Sequence, residues 1–334
     1  MTLAACLIVH NEEPVLRRCL DSIAVWVDEC CVVDTGSKDG TIDIARAFGA
    51  RVQVEPSLAD SAGRLLDFAT ARNRVLTMAR CKWVLSIDAD EVLSVHRPEA
   101  FRRLLRESRC DAIEVKIISV ATNWYLPRLF RRMPWTQWHG RVHEWVEIQG
   151  TIRRYSSICI ENRPDKTGKE SAAQRDLRLC GQQLENDPSN LRAVFYMARA
   201  LRLSGDYDGA IAYYERYWRD SDFAAGRYTA AMGGAICQLL LHDFESARAS
   251  AMRAYRLDPR LAEACCVLGD ATLALGRVDL SRQWFQRALS KRPPPASSFA
   301  HFVDLSCYRE YPASRLRWIE QATVDAPVRD SLSP

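Results

Sequence analysis

In the stretch Trp83-Val84-Leu85-Ser86-Ile87-Asp88-Ala89-Asp90-Glu91, an apolar run ends abruptly in three acids within four residues. A run of this length, rich in branched and aromatic side chains, reads as a buried strand. Two ionised carboxylates at the end of such a strand are costly to hold away from water unless a cation accompanies them. The D-x-D spacing alone decides nothing, because Asp206-Tyr207-Asp208 and Asp220-Ser221-Asp222 repeat it in polar turns. Context decides, and it lies upstream. Residues 3–9 read as a strand. A helix follows with Pro14 in its first turn and an apolar stripe Val15, Leu16, Cys19, Leu20, Ile23. Residues 30–33 form the next strand, 41–48 a helix stopped by Gly49, 51–54 a strand and 68–79 a helix. This alternation predicts an α/β domain built on a mostly parallel sheet with right-handed crossovers. Ligands of such sheets bind beyond the carboxyl ends of the strands. That is where His10-Asn11-Glu12, Asp34 and Asp88-Ala89-Asp90 fall.

From about residue 170 the pattern is helical throughout and it repeats. Asp187-Pro188 recurs as Asp258-Pro259, and Leu203-Ser204-Gly205-Asp206-Tyr207 returns as Leu240-Leu241-His242-Asp243-Phe244 and near Leu275-Gly276-Arg277-Val278. Helix, short turn, helix at a period of about 34–36 residues is the tetratricopeptide signature. The expected division is a domain over 1–165, a linker and helix over 166–187, and a repeat domain over 188–334. The repeats would cover 188–222, 223–258 and 259–293, ahead of a C-terminal cap.

Composition narrows the class. At 334 residues, 48% apolar and 26% charged, the chain has ordinary globular composition. A net charge of +4 does not announce nucleic acid, and no nucleic-acid-binding motif is recognisable. The longest uncharged apolar run is too short for a transmembrane span, and the first residues lack a basic region and cleavage site. Twelve cysteines sit in apolar periodic segments without a C-x-x-C pair, which reads as buried reduced thiols and a cytoplasmic protein.

Four stretches occur in order: Val9-His10-Asn11-Glu12-Glu13; Val32-Val33-Asp34-Thr35-Gly36-Ser37-Lys38-Asp39-Gly40-Thr41; Asp67-Phe68-Ala69-Thr70-Ala71-Arg72-Asn73; and Ser86-Ile87-Asp88-Ala89-Asp90-Glu91. Together they resemble the successive motifs of family 2 glycosyltransferases. The appended repeats, Pro127-Arg128-Leu129-Phe130-Arg131 and Gly140-Arg141-Val142-His143-Glu144 point to the bacterial subgroup that includes sublancin-type peptide S-glycosyltransferases. The resemblance implies a GT-A fold in which Val9, His10, Asn11, Glu12 and Asp34 line the base and ribose pocket, with Arg72 nearby. It implies that Asp88 and Ala89 face the ribose or sugar, and that Asp90 holds a divalent ion, Mn²⁺ or Mg²⁺. A homodimer through the repeats is a further implication.

The implied reaction moves a hexose from a nucleotide sugar, UDP-linked rather than GDP-linked, to a peptide or protein acceptor. An inverting transfer needs a base on the acceptor side. Glu144 is the first candidate and His143 the second, His143 being alternatively a further metal ligand. A zinc pair His139/His143 is disfavoured by the intervening Gly140. Arg128, Arg131 and Arg132 stand open between phosphate binding and a solvated face. Trp124, Tyr125, Trp135, Trp138 and Trp145 offer flat faces for an acceptor. Residues 56–64 lack the aromatic that family members often place ahead of the D-F-x-x-A-R-N motif. Two rival readings keep part of this picture: the same donor chemistry on a lipopolysaccharide-core or other glycan, and a non-catalytic repeat scaffold.

Overall fold

The computed structural model describes residues 2–119, 123–165, 169–294 and 303–324. Two compact units result, Met1–Ser171 and Ala172–Pro334. Residues 166–168 of the expected linker, and 295–302 and 325–334 of the expected cap, lie outside the described residues.

The first unit begins with β1 (Leu3–Val9), α1 (Glu13–Ile23), β2 (Glu29–Asp34), α2 (Thr41–Ala47) and β3 (Arg51–Val54). It continues through α3 (Phe68–Met78), β4 (Trp83–Ser86), β5 (Glu91–Val95) and α4 (Pro98–Glu107). It ends with β6 (Ala112–Ile118), β7 (Asn123–Arg131), β8 (Trp138–His139), β9 (Trp145–Val146) and β10 (Ile152–Asn162). Eight of these strands form one sheet in the order β3-β2-β1-β4-β7-β6-β10-β5. β1, β2, β3 and β4 run parallel, whereas β7 enters antiparallel between β4 and β6. Period-two alternation on β1 divides the core. Leu3, Ala5, Leu7 and Val9 pack with α1 and with Phe101 and Leu105 of α4. Ala4 and Cys6 face the opposite way, onto Ala69, Val75 and Leu76 of α3. The sheet is thus covered on both faces, and its polar strand ends are left for a ligand.

The strands after β4 have no counterpart in the sequence-based expectation, and β7 shows why. Pro127 interrupts it opposite a register shift between Ile113 and Glu114, at a point where β4 has already ended. β8 and β9 form a small separate hairpin, pairing Trp138 with Val146 and His139 with Trp145.

The second unit is helical: α5 (Ala172–Asn186), α6 (Leu191–Ser204), α7 (Tyr207–Asp220), α8 (Ala224–Leu240), α9 (Phe244–Leu257), α10 (Glu263–Ala274), α11 (Val278–Leu289) and α12 (Glu310–Val324). Within each pair α6/α7, α8/α9 and α10/α11 the turn holds one left-handed residue: Gly205, His242 and Gly276 respectively. Asp206 and Asp243 then cap the following helices through the N–H groups of Gly209 and Ser246. Of the two turn triplets, Asp206 is thus a helix cap and Asp220 pairs with Arg219 at 2.8 Å. Close packing demands the small residues: a Cβ on Gly269 would stand 2.5 Å from Phe285 of α11. α5, expected between the domains, belongs to the second unit. All twelve cysteines are free and buried. No described helix is long and apolar enough to cross a membrane.

Candidate active site

The acidic turn after β4 is held by the protein's own cations. Arg72, on α3, donates through its Nη2 to Asp88 Oδ1 at 2.8 Å and through its Nε to Glu144 Oε1 at 2.5 Å. Its Nη1 donates to Ser86 Oγ at 3.1 Å, and its guanidinium lies 5.0 Å from the Trp138 ring. Arg128, on β7, reaches the other Asp88 oxygen at 3.2 Å and Glu91 Oε1 at 2.7 Å. Glu91 Oε2 accepts the Asp88 backbone N–H at 2.8 Å. The result is a chain of alternating charge, Glu91–Arg128–Asp88–Arg72–Glu144, with both guanidinium groups almost wholly buried.

This corrects the expectation that a metal must compensate both carboxylates of the D-A-D turn: two arginines already compensate Asp88. Burial works against its ionisation, yet Arg72 and Arg128 hold the Asp88 carboxyl far below the usual range. Asp90 is different. Among the described residues its carboxylate accepts only its own backbone N–H, and burial together with the charge of Asp88 raises its pKa. Burial pushes Glu91 up to about 7 against the pull of Arg128. Glu12 is raised too, by burial first and then by the charges of Asp90 and Asp88, while Lys169 opposes the shift.

The cluster sets five carboxyl groups, Glu12, Asp88, Asp90, Glu91 and Glu144, against three cations, Arg72, Arg128 and Lys169. Among the described residues no group of three His, Cys, Asp or Glu side chains forms a ready cage for an ion. Asp90 with its open lone pairs suits a hard cation that draws its remaining oxygens from a phosphate ligand.

The turns after β1 and β2 interlock. Asn11 adopts φ 52°, its N–H reaching Ser37 Oγ at 2.8 Å and its Oδ1 accepting from Lys38 N at 2.8 Å. Glu12 N–H reaches Thr41 Oγ1 at 2.7 Å. Asn11 therefore shapes the rim through its backbone N–H and its side-chain oxygen, and Val9 stays in the core. Asp34 is fully buried: its Oδ1 accepts from Gly36 and Ser37 N–H at 2.9 Å each, while Oδ2 has no partner. His10 Nδ1 is likewise buried and unpartnered, and a Cβ on Gly63 would lie 2.6 Å from its Nε2, so the 56–66 loop closes against this ring. An orphaned buried acceptor is rare enough to ask for a ligand.

The β8–β9 hairpin brings Glu144 in. Its connecting loop contains Gly140 at φ 91° and His143 at φ 53°. Asn73, next to Arg72 on α3, grips the hairpin on both sides of Trp138, donating to its carbonyl at 2.9 Å and accepting its N–H at 2.8 Å. The A-R-N run thus has a physical meaning: Arg72 joins Asp88 to Glu144, and Asn73 fixes the strand that leads to Glu144.

His139 pairs with Glu147 at 3.1 Å and stacks on Trp145 at 4.7 Å, so it is engaged elsewhere than in a zinc pair. Arg131 donates to the Cys110 carbonyl and exposed Arg132 to the Cys81 carbonyl, so Arg132 fits the solvated-face alternative, whereas Arg128 is buried on carboxylates. Of the aromatic group, Trp138 is buried against Phe130, whereas Trp135 and Trp145 are exposed. Lys169 was missed altogether. It donates to both oxygens of Glu12 at 2.7 Å from a segment that reads as a polar linker.

The chain is similar to known glycosyltransferases and repeat proteins. Relatives include the SPbeta prophage-derived glycosyltransferase SunS of Bacillus subtilis (strain 168), 25% identical over 228 residues, 64% of this chain and 53% of the relative. An uncharacterized glycosyltransferase of Rickettsia bellii (strain RML369-C) is 30% identical over 131 residues, 38% of this chain and 42% of the relative. The chain spans about half the length of the curated relatives it matches. Among solved structures, S. aureus TarS 1-349 in complex with UDP-GlcNAc aligns with a TM-score of 0.45 at 14% identity, covering 83% of this chain and 93% of that one. Tetratricopeptide repeat matches 179–225 and 239–297. The glycosyl transferase family 2 model matches residues 5–174, half of the chain, and the protein therefore belongs to that family.

Proposed function

We propose that this glycosyltransferase transfers a hexose from a UDP-linked donor to a polypeptide, with inversion at the sugar carbon. The observation that carries the donor half is Asp34 Oδ2, a buried acceptor at a strand end with no partner in the protein. A base N–H meets it without competition from water, and His10 Nδ1 offers a second unmet contact beside it. Asp88, clamped from two sides, presents a fixed carboxylate edge to the ribose or sugar hydroxyls. Asp90, with His143 as a second ligand, would hold Mn²⁺ or Mg²⁺, which when bound neutralises charge on the departing diphosphate. Glu144 commits Oε1 to Arg72 and leaves Oε2 to take the proton from the attacking hydroxyl or thiol. Repeat helices favour a polypeptide acceptor because stacked pairs present an extended surface to an extended chain.

The test is hydrolysis and transfer with UDP-, GDP- and dTDP-hexoses, with Mn²⁺ and with chelator, followed by intact mass of polypeptide acceptors. A gain of one hexose that requires the ion and vanishes in Asp90→Ala supports the proposal. Hexose appearing on a saccharide instead moves the acceptor to a glycan. Absence of donor binding and cleavage, with Asp90→Ala indistinguishable from the native chain, leaves only a scaffold.

A further inference from the structure

We infer that Lys169 is a diphosphate-binding residue, an ammonium supplied to the donor from outside the strand ends. The inference deepens the proposed donor reading and rests on it. Two described residues beyond β10, Arg163 and Lys169, contact the turns at the carboxyl ends of the sheet. Arg163 N–H donates to the Asp90 carbonyl at 3.0 Å, and Arg18 Nη2 donates to the Arg163 carbonyl at 2.8 Å. Lys169 then reaches Glu12, the residue that follows the β1 turn, and touches both of its carboxylate oxygens at 2.7 Å. Its charge is felt by Asp90 as well as by Glu12.

Three features make this more than a surface tether. An ammonium has three N–H donors, and among the described residues Glu12 alone accepts from it, through two oxygens, which leaves a donor for a further acceptor. Of the three cations in the acidic network, Arg72 and Arg128 are buried and committed to carboxylates, with side chains 7% and 11% exposed, whereas Lys169 is 37% exposed. It is thus the member that solvent and ligand can reach. Finally, a diphosphate approaching a cluster in which acids outnumber cations is repelled unless cations lie on its side of the acids. A lysine is a compact point charge for a phosphate oxygen, and a partly exposed ion pair with Glu12 contributes too little stability to explain its placement.

The experiment measures binding of a nucleoside diphosphate and of the matching nucleoside to the full chain by titration calorimetry, with Mn²⁺ present. UDP and uridine come first, then GDP/guanosine and dTDP/thymidine. Lys169→Ala is expected to weaken the diphosphate by about 10- to 100-fold while leaving the nucleoside unchanged. Lys169→Arg is expected to retain most of the diphosphate affinity, and Lys169→Gln replaces the alanine variant if that chain does not fold. Unchanged diphosphate affinity overturns the assignment, as does an equal loss for nucleoside and diphosphate, which marks a residue that merely shapes the pocket. A native chain that binds none of the three diphosphates refutes the donor reading itself, a distinguishable result.

Discussion

Asp88 and Glu91 lie three residues apart and share Arg128, yet their protonation pulls the fold in opposite directions with pH. Asp88 is held far below its ordinary value, so its contribution is present above about pH 4, the unfolded value, and is lost as pH falls below that. Glu91 is raised to about 7, so the folded chain keeps a proton that the unfolded chain releases near its ordinary value. Stability therefore grows as pH falls through about 7 toward 4.3, and Asp88 reverses the trend below. Melting followed by circular dichroism should show a maximum near pH 5, and Glu91→Gln should flatten only the limb above it. A maximum at pH 8 in the native chain would contradict this. Arg72→Met tests the same network at its centre. It leaves Asp88 with one cation and Glu144 with none, and breaking a buried pair in this way costs about 3–5 kcal/mol. Adding Glu144→Gln should recover part of that loss, because it removes one orphaned charge.

The β8–β9 hairpin carries Glu144 but does not belong to the main sheet, so its position depends on a few contacts. Asn73 supplies two of them, and the N–H of Phe68 at the start of α3 donates to the Arg141 carbonyl at 2.9 Å. Asn73→Ala should reduce turnover by about 10- to 100-fold with donor KM almost unchanged, since only the acceptor-side carboxylate is displaced. A matching rise in donor KM would show instead that α3 itself had moved. The hairpin also marks how far the sequence could be read. β1 to β4 and the repeat helices were legible because apolar periodicity, Pro14, Gly49 and the turn acids all agree at short range. β6, β7 and β10 were not. Pro127 breaks the strand pattern, and in β10 the pair Ser156-Ser157 lies in the register break between Tyr155 and Cys159. The acids of the site were legible from strand ends, but their partners were not. Arg72 to Glu144 is a separation of 72 residues and Glu12 to Lys169 one of 157, and no local spacing encodes either.

At the scale of the molecule, the chain forms two compact units in succession. Each has its own core: the sheet and its covering helices close within Met1–Ser171, and the helix pairs stack within Ala172–Pro334. Repeat stacks are stabilised by neighbour-to-neighbour contacts, so the second unit does not need the first to fold. All the residues assigned to the donor, Lys169 included, precede residue 172. A fragment of residues 1–171 should therefore fold, bind the nucleotide sugar and hydrolyse it slowly to water. It should lose transfer to the polypeptide, with the acceptor KM rising by more than about tenfold, because a tethered second contact raises the local concentration of the acceptor. Donor hydrolysis and intact-mass transfer on the fragment and the full chain measure the two effects separately. Equal transfer by both would place acceptor recognition in the first unit, most plainly at exposed Trp145 beside Glu144. Loss of hydrolysis as well would mean that the donor site depends on the repeats, against the chain order in which its residues occur.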